Sequence, residues 1–101
     1  MLREIYLAFI KVHILYHAAE EEVYGLGLIE ELGRHGYKLG PGTLYPTLAK
    51  MERLELLRCE SRIVDHKQRK YYRITSAGQA LLEELRVKLE ELYGEVVLEK
   101  S

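Results

Sequence analysis

The sequence predicts an α+β fold, mainly α with a small β-hairpin, and three observations predict it. Gly40-Pro41-Gly42-Thr43-Leu44-Tyr45-Pro46-Thr47-Leu48 reads as the start of a helix. Gln68-Arg69-Lys70-Tyr71-Tyr72-Arg73-Ile74-Thr75-Ser76-Ala77-Gly78 reads as a basic strand running into another helix. Beyond it, Leu82, Leu85, Leu89, Leu92 and Val96 recur at alternating spacings of three and four, a short heptad seam. A helix, a basic hairpin and a further helix in that order make a winged helix-turn-helix with a long C-terminal dimerisation helix, a shape that lies on duplex DNA.

The elements follow in chain order. Arg3 to His17 reads helical, with Leu2, Ile5, Phe9, Val12 and Tyr16 on one apolar stripe and Leu7, Ile10 and Ile14 on another. One stripe serves the core and the other is left for a partner subunit. Ala18 to Glu22 reads as an acidic link. Gly25 and Gly27 open a second helix over Leu26 to Leu32, with Leu28, Ile29 and Leu32 inward, and Gly33, Gly36 and Gly40 punctuate the turn after it. The third helix begins at Pro41, where a missing N–H costs nothing. Leu44, Leu48 and Met51 face inward from it. Pro46 is an irregularity that weakens one backbone hydrogen bond, and propensity alone would end the helix there. Leu56 to Val64 and Arg69 to Ile74 read as strands joined by a turn over Asp65-His66-Lys67-Gln68. Thr75 or Ser76 caps the last helix. About 25 residues of helix are roughly 37 Å long, so its far end projects and the seam needs a second chain to cover it. The division expected is a DNA-binding domain over 1–75 and a dimerisation helix over 76–101.

A net charge of −1 argues against a nucleic-acid binder, but its distribution argues for one. Residues 34–73 hold ten Lys/Arg against four Asp/Glu, and the rest of the chain holds five against twelve. A binder needs positive potential where it meets phosphate, not a high overall pI. No apolar run approaches the roughly 20 residues of a membrane span, and Met1-Leu2-Arg3-Glu4 does not open a signal peptide. One cysteine, Cys59, fits a reducing cytoplasm, and in a strand it reads as a small buried residue. No phosphate-binding Gly-rich loop, zinc-ligand cluster or nucleophile elbow is present, so no enzyme is expected.

The chain resembles the PadR family of transcriptional regulators. The resemblance rests on Gly42-Thr43-Leu44-Tyr45-Pro46 with Leu48, on Met51-Glu52-Arg53-Leu54, on Tyr71-Tyr72-Arg73-Ile74-Thr75 and on Gly78, with Tyr24-Gly25 opening the second helix. It covers residues 3 to 85. It implies a short-form regulator with one C-terminal dimerisation helix, and it marks Tyr45 and Pro46 as lying near DNA. Gly40 stands where the family often has a capping Ser, and Leu26 where it favours an aromatic. There is no Trp, so the tryptophans that some members stack on flat drug-like ligands are absent.

The sites follow from the residue types. The N-terminal half of the third helix, from Pro41 and Gly42 onward, is expected in the major groove. There Thr43, Thr47 and Lys50 share a face and offer donors to base edges and phosphates. Tyr45 has a second reading, a core aromatic with its hydroxyl at the surface. Lys67, Arg69 and Lys70 at the hairpin suit phosphate or minor-groove contact, or form a solvated turn. Arg62 and His66 are outlying members of that patch, and Lys38 with Arg34 sits before the helix within reach of phosphate. Ile5, Phe9, Leu82, Leu85, Leu89, Leu92 and Val96 are the expected dimer interface, and the operator is expected to be palindromic. A small aromatic effector, if one binds, belongs at that interface near Tyr6, Phe9, His13, Leu89 and Tyr93. His13 and His17, one helical turn apart, offer a metal two ligands. No third is evident beyond the acidic run Glu20 to Glu22, so no metal or cofactor is expected. The regulator reading, a homodimeric repressor, competes with a winged-helix protein-interaction module that does not touch DNA. Basic residues at both the wing and the third helix favour the first.

Overall fold

Among the described residues, apolar spacing of three and four produces four helices, α1 (Leu2–Glu20), α2 (Gly25–Arg34), α3 (Pro41–Arg53) and α4 (Ser76–Val96). Alternation produces an antiparallel sheet of β1 (Val23–Tyr24), β2 (Leu57–Val64) and β3 (Lys67–Ile74) in the order β1-β3-β2. The computed structural model describes residues 1–99; the last two residues of the expected dimerisation segment, 100 and 101, lie outside the described residues. The architecture is the α+β winged helix that the sequence predicts. Among the described residues, no helix is long and apolar enough to cross a membrane.

The two stripes of α1 separate as expected. Ile10 and Ile14 are buried, while Ile5, Phe9 and Tyr16 are exposed. The helix runs on to Glu20, through a stretch read as a link, because the fully buried Ala18 extends the inner stripe by one more turn. Leu28 and Leu32 of α2 and Leu44, Leu48 and Met51 of α3 meet that stripe. Burial of each such leucine stabilises the fold by roughly 1.5–3 kcal/mol.

Helix α3 continues through Pro46. The missing N–H leaves the carbonyl of exposed Gly42 to solvent rather than to the helix ladder. Its C-terminus closes with Leu56 N–H donating to Met51 O and Glu55 N–H to Glu52 O, a Schellman pattern. Glu55 occupies the left-handed position at φ 61°, where glycine is favoured.

The wing is tighter than expected. Val64 pairs with Lys67, so only Asp65 and His66 form the turn, and both have positive φ, 50° and 66°. That marks a type I′ connection, whose twist matches the flanking strands. Lys67 and Gln68, expected in the turn, are in β3 instead. The short β1, which the sequence reading missed, adds to the outer edge of β3 through Val23↔Tyr72 and Tyr24↔Tyr71.

Thr75 caps α4. Its Oγ1 accepts from Gly78 N–H at 3.0 Å and donates to Glu55 O at 2.5 Å, tying α4 to the turn after α3. Gly78 allows this approach, since a Cβ there would strike the Leu56 carbonyl. Leu82 then packs into the core at 4% exposure, which corrects its assignment to the dimer seam: it has almost no surface left for another chain. Leu85 is half-buried, and Leu89, Leu92 and Val96 are exposed. The projecting half of α4 stretches the chain to 55 Å and raises its radius of gyration to 14.7 Å, against about 13 Å for a compact domain of this size.

Candidate nucleic-acid interface

Successive α3 residues turn by about 100°. With Leu44, Leu48 and Met51 inward, the opposite face carries Gly42, Pro46 and Arg53, flanked by Ala49 and Lys50. Pro41, Gly42, Tyr45, Pro46, Lys50 and Arg53 are all exposed. Thr43 and Thr47 lie nearer the core side and are half-buried. The Thr47 hydroxyl donates to the Thr43 carbonyl at 2.8 Å, so its proton is spent on its own helix. Of Thr43, Thr47 and Lys50, expected to share one side of the helix, only Lys50 is exposed. Arg53 is exposed on the opposite face, where rotation from the inward leucines places it, and Ala49 beside it is half-buried.

Two clefts flank α3. On one side a groove of about 880 Å³ runs between α3 and the wing, lined by Tyr45, Pro46, Ala49, Lys67, Arg69 and Lys70 together with Tyr24, Gln68 and Glu52. On the other, Lys38 and Thr43 line a cleft of about 480 Å³ beside the start of α1. The structure therefore brings the wing cations together with Tyr45 and Pro46, and it sets Lys38 and Thr43 apart from them.

Tyr45 takes an intermediate position between its two readings. It is 42% exposed and borders the groove, but its hydroxyl end rests on Gly25 at the start of α2. A Cβ at Gly25 would come within 2.6 Å of Tyr45 Cε1. That close approach is the physical reason for glycine after Tyr24.

Charge is distributed unevenly over the wing. Among the described residues, Lys38, Lys50, Arg53, Lys67, Arg69 and Lys70 form no ion pair. Arg69 lies over the Tyr24 ring at 4.4 Å, which holds the guanidinium beside the groove. His66 is exposed at the wing tip. Arg62 differs: it donates to Glu22 and, at 3.2 Å, to Glu60, and it covers the Tyr71 ring at 4.4 Å. These carboxylates raise its pKa further, and it lowers that of Glu22 through their hydrogen bond. Arg62 is thus ion-paired with Glu22 and Glu60, unlike the other cations of the wing.

Beneath the groove, burial and then neighbouring Cys59 push the Tyr72 phenol up to about 12. Burial followed by Glu52 raises the Cys59 thiol, so it stays protonated, as a structural thiol does.

A third concavity, of about 560 Å³, lies between α1 and α4. Phe9, His13 and Leu89 of the expected effector site line it, but Tyr6 packs instead against Tyr37, at 6.0 Å between ring centroids, and Tyr93 lies outside it. His17 and His35 enter this concavity as well. The third imidazole that the sequence did not supply is therefore His35. Burial, with His35 and His17 close by, lowers the His13 pKa and favours its neutral ring.

Comparison with known proteins places this geometry in a family. Residues 14–84 match the model of the transcriptional regulator PadR-like family. The transcriptional regulator Rv3488 of Mycobacterium tuberculosis is 52% identical over 96 residues, covering 95% of this chain and 90% of its own. A PadR-like transcription factor from Bacteroides fragilis superposes with a TM-score of 0.83 at 26% identity, covering 97% and 96% of the two chains. A PadR-like transcriptional regulator from Bacillus cereus gives 0.83 at 29% identity, covering 97% and 99%.

Proposed function

Because the chain belongs to the PadR-like family of transcriptional regulators, and so is a regulator rather than an enzyme, we propose that it represses transcription as a homodimer on a palindromic operator. The unpaired cations around α3 carry this reading: Lys50, Lys67, Arg69 and Lys70 have no carboxylate to satisfy them among the described residues. Phosphate is the partner that such a groove fits, with each neutralised phosphate contributing about −0.9 to the slope of log affinity against log salt. Gly42, Pro46 and Lys50 face the major groove, Tyr45 borders it, and the wing with His66 reaches the flanking backbone. Lys38 and Thr43 approach from the other side of α3.

Residues 1–75 act as the DNA-binding domain and 76–101 as the dimerisation helix. Ile5, Phe9, Leu89, Leu92 and Val96 are 38–63% exposed, and a second copy would cover them together with Leu85. Two-fold symmetry then sets the half-sites about one helical turn, or a multiple of it, apart. An aromatic effector between α1 and α4 would change the spacing of the wings. A chromosomal target places the protein in the cytoplasm.

The test is anisotropy binding to a pool of genomic duplexes at two salt concentrations, with sequencing of the retained fraction. A retained palindrome with steep salt dependence is expected. Replacing Lys67 and Arg69 with Glu should abolish retention and leave the dimer intact by light scattering. Retention that survives the double replacement would remove the wing from the interface. No enrichment by the parent protein would turn the reading toward a protein-interaction module.

A further inference from the structure

His13 and His17 lie one turn apart on α1, opposite the end of α2. One ring nitrogen from each of His13, His17 and His35 lies within 4.8 Å of the others. Glu31 joins them: its Oε2 is 3.2 Å from His35 Nε2 and 4.0 Å from His17 Nε2. Its other oxygen accepts from Arg34 Nη1 at 2.6 Å, which holds the carboxylate with Oε2 toward the imidazoles. His17 Nε2 is buried with no hydrogen-bond partner. A buried ring nitrogen without a partner is costly and calls for an explanation. The rings of His13 and His35 stack at 4.7 Å between centroids.

We propose that His13, His17, His35 and Glu31 bind one divalent transition-metal ion of the zinc type per chain. Three imidazoles and one carboxylate match the preferences of such ions and not those of magnesium or calcium. Zinc holds nitrogen at about 2.0–2.1 Å, which sets tetrahedral donors about 3.4 Å apart. Closing the present cluster, with donors within 4.8 Å of one another, to that size takes shifts of at most about 1.4 Å. His35, at the C-cap of α2 and 43% exposed, has room to make them. Arg34 becomes the outer partner that orients the carboxylate. The donors come from α1 and from the end of α2, immediately before the turn into α3. A bound ion therefore ties α1 to the helix pair that carries the DNA-facing groove. Only this last consequence, a change of DNA affinity on metal binding, rests on the function proposed above.

The test uses the full chain without an affinity tag, stripped with chelator. Zinc is titrated calorimetrically, and cobalt(II) is followed by visible absorption. The expected result is one ion per chain and the intense bands of four-coordinate cobalt. His35→Gln and Glu31→Gln should weaken zinc binding by more than the roughly 10–100-fold that loss of an outer partner costs, and should abolish those bands. Both sites are partly exposed, so the variants remain folded by circular dichroism even where His17→Gln does not. Failure of the parent to take one zinc, or unchanged affinity in both variants, overturns the site. Zinc binding that leaves operator affinity unchanged overturns the coupling alone. A chain that binds zinc but no DNA, with or without metal, overturns the DNA reading and keeps the site.

Discussion

Gly25→Ala separates stability from function at the α2–α3 contact. A Cβ at Gly25 falls 2.5 Å from Tyr45 Cζ and 2.6 Å from Cε1. Ordinary contact begins near 3.4 Å, so the ring must withdraw by close to 1 Å. The obstacle is the end of a side chain that is 42% exposed, and it can swing outward into the groove. Alanine also removes backbone freedom from the unfolded chain, worth about 0.4–1 kcal/mol. The net change in stability is therefore expected to stay within about 1 kcal/mol, which is less than 8 °C in Tm for a domain of this length. Operator affinity should fall by about tenfold, the 1.4 kcal/mol of one misplaced contact. Thermal melting at fixed protein concentration and anisotropy binding measure the two quantities. Repeating both in a Tyr45→Ala background completes the cycle: there Gly25→Ala should stabilise the fold slightly and leave DNA affinity unchanged. Destabilisation of the same size in both backgrounds would refute the argument, because the clash would then not be with Tyr45. Gly78→Ala is the contrast, since its Cβ would meet the Leu56 carbonyl, a backbone atom with nowhere to go.

Two further outcomes follow from local structure. Glu55→Gly relieves a left-handed backbone at φ 61° in the Schellman turn and should raise stability by about 1 kcal/mol, read as a higher urea midpoint at constant slope. Tyr72 sits at about 12 in the folded protein against 10.0 unperturbed. The unfolded chain releases that proton first, so stability should fall as pH rises past 10, and Tyr72→Phe should reduce the fall in an alkaline denaturation series.

Much of this architecture is legible in short windows of sequence. The inward set Leu44, Leu48 and Met51, the inner stripe of α1, the Thr75 cap and the alternation that buries Tyr72 all arise between residues a few positions apart. The motif from Gly42 to Pro46 that carries the family resemblance is equally local. The errors have a common cause. β1 is two residues long, too short for any periodicity, and exists because β3 offers it an edge. Asp65-His66 carries no strong turn signal, and the register of the whole hairpin forces its positive φ values. Leu82 obeys the heptad spacing, but core and seam share one period, and only the docking of α4 on α1 assigns it to the core.

The same division governs the site. Composition and order determined that this chain carries a basic wing beside a helix. Which cations remain free was decided by partners distant in sequence: Glu22, forty residues before Arg62, neutralises it, while Lys67 and Lys70 meet no such acid among the described residues. His35 likewise joins His13 and His17 only because α2 packs back across α1. Helical and strand periods are local rules that a sequence displays directly. Ion pairs and ligand clusters depend on distances between side chains, and those distances exist only once the elements have packed.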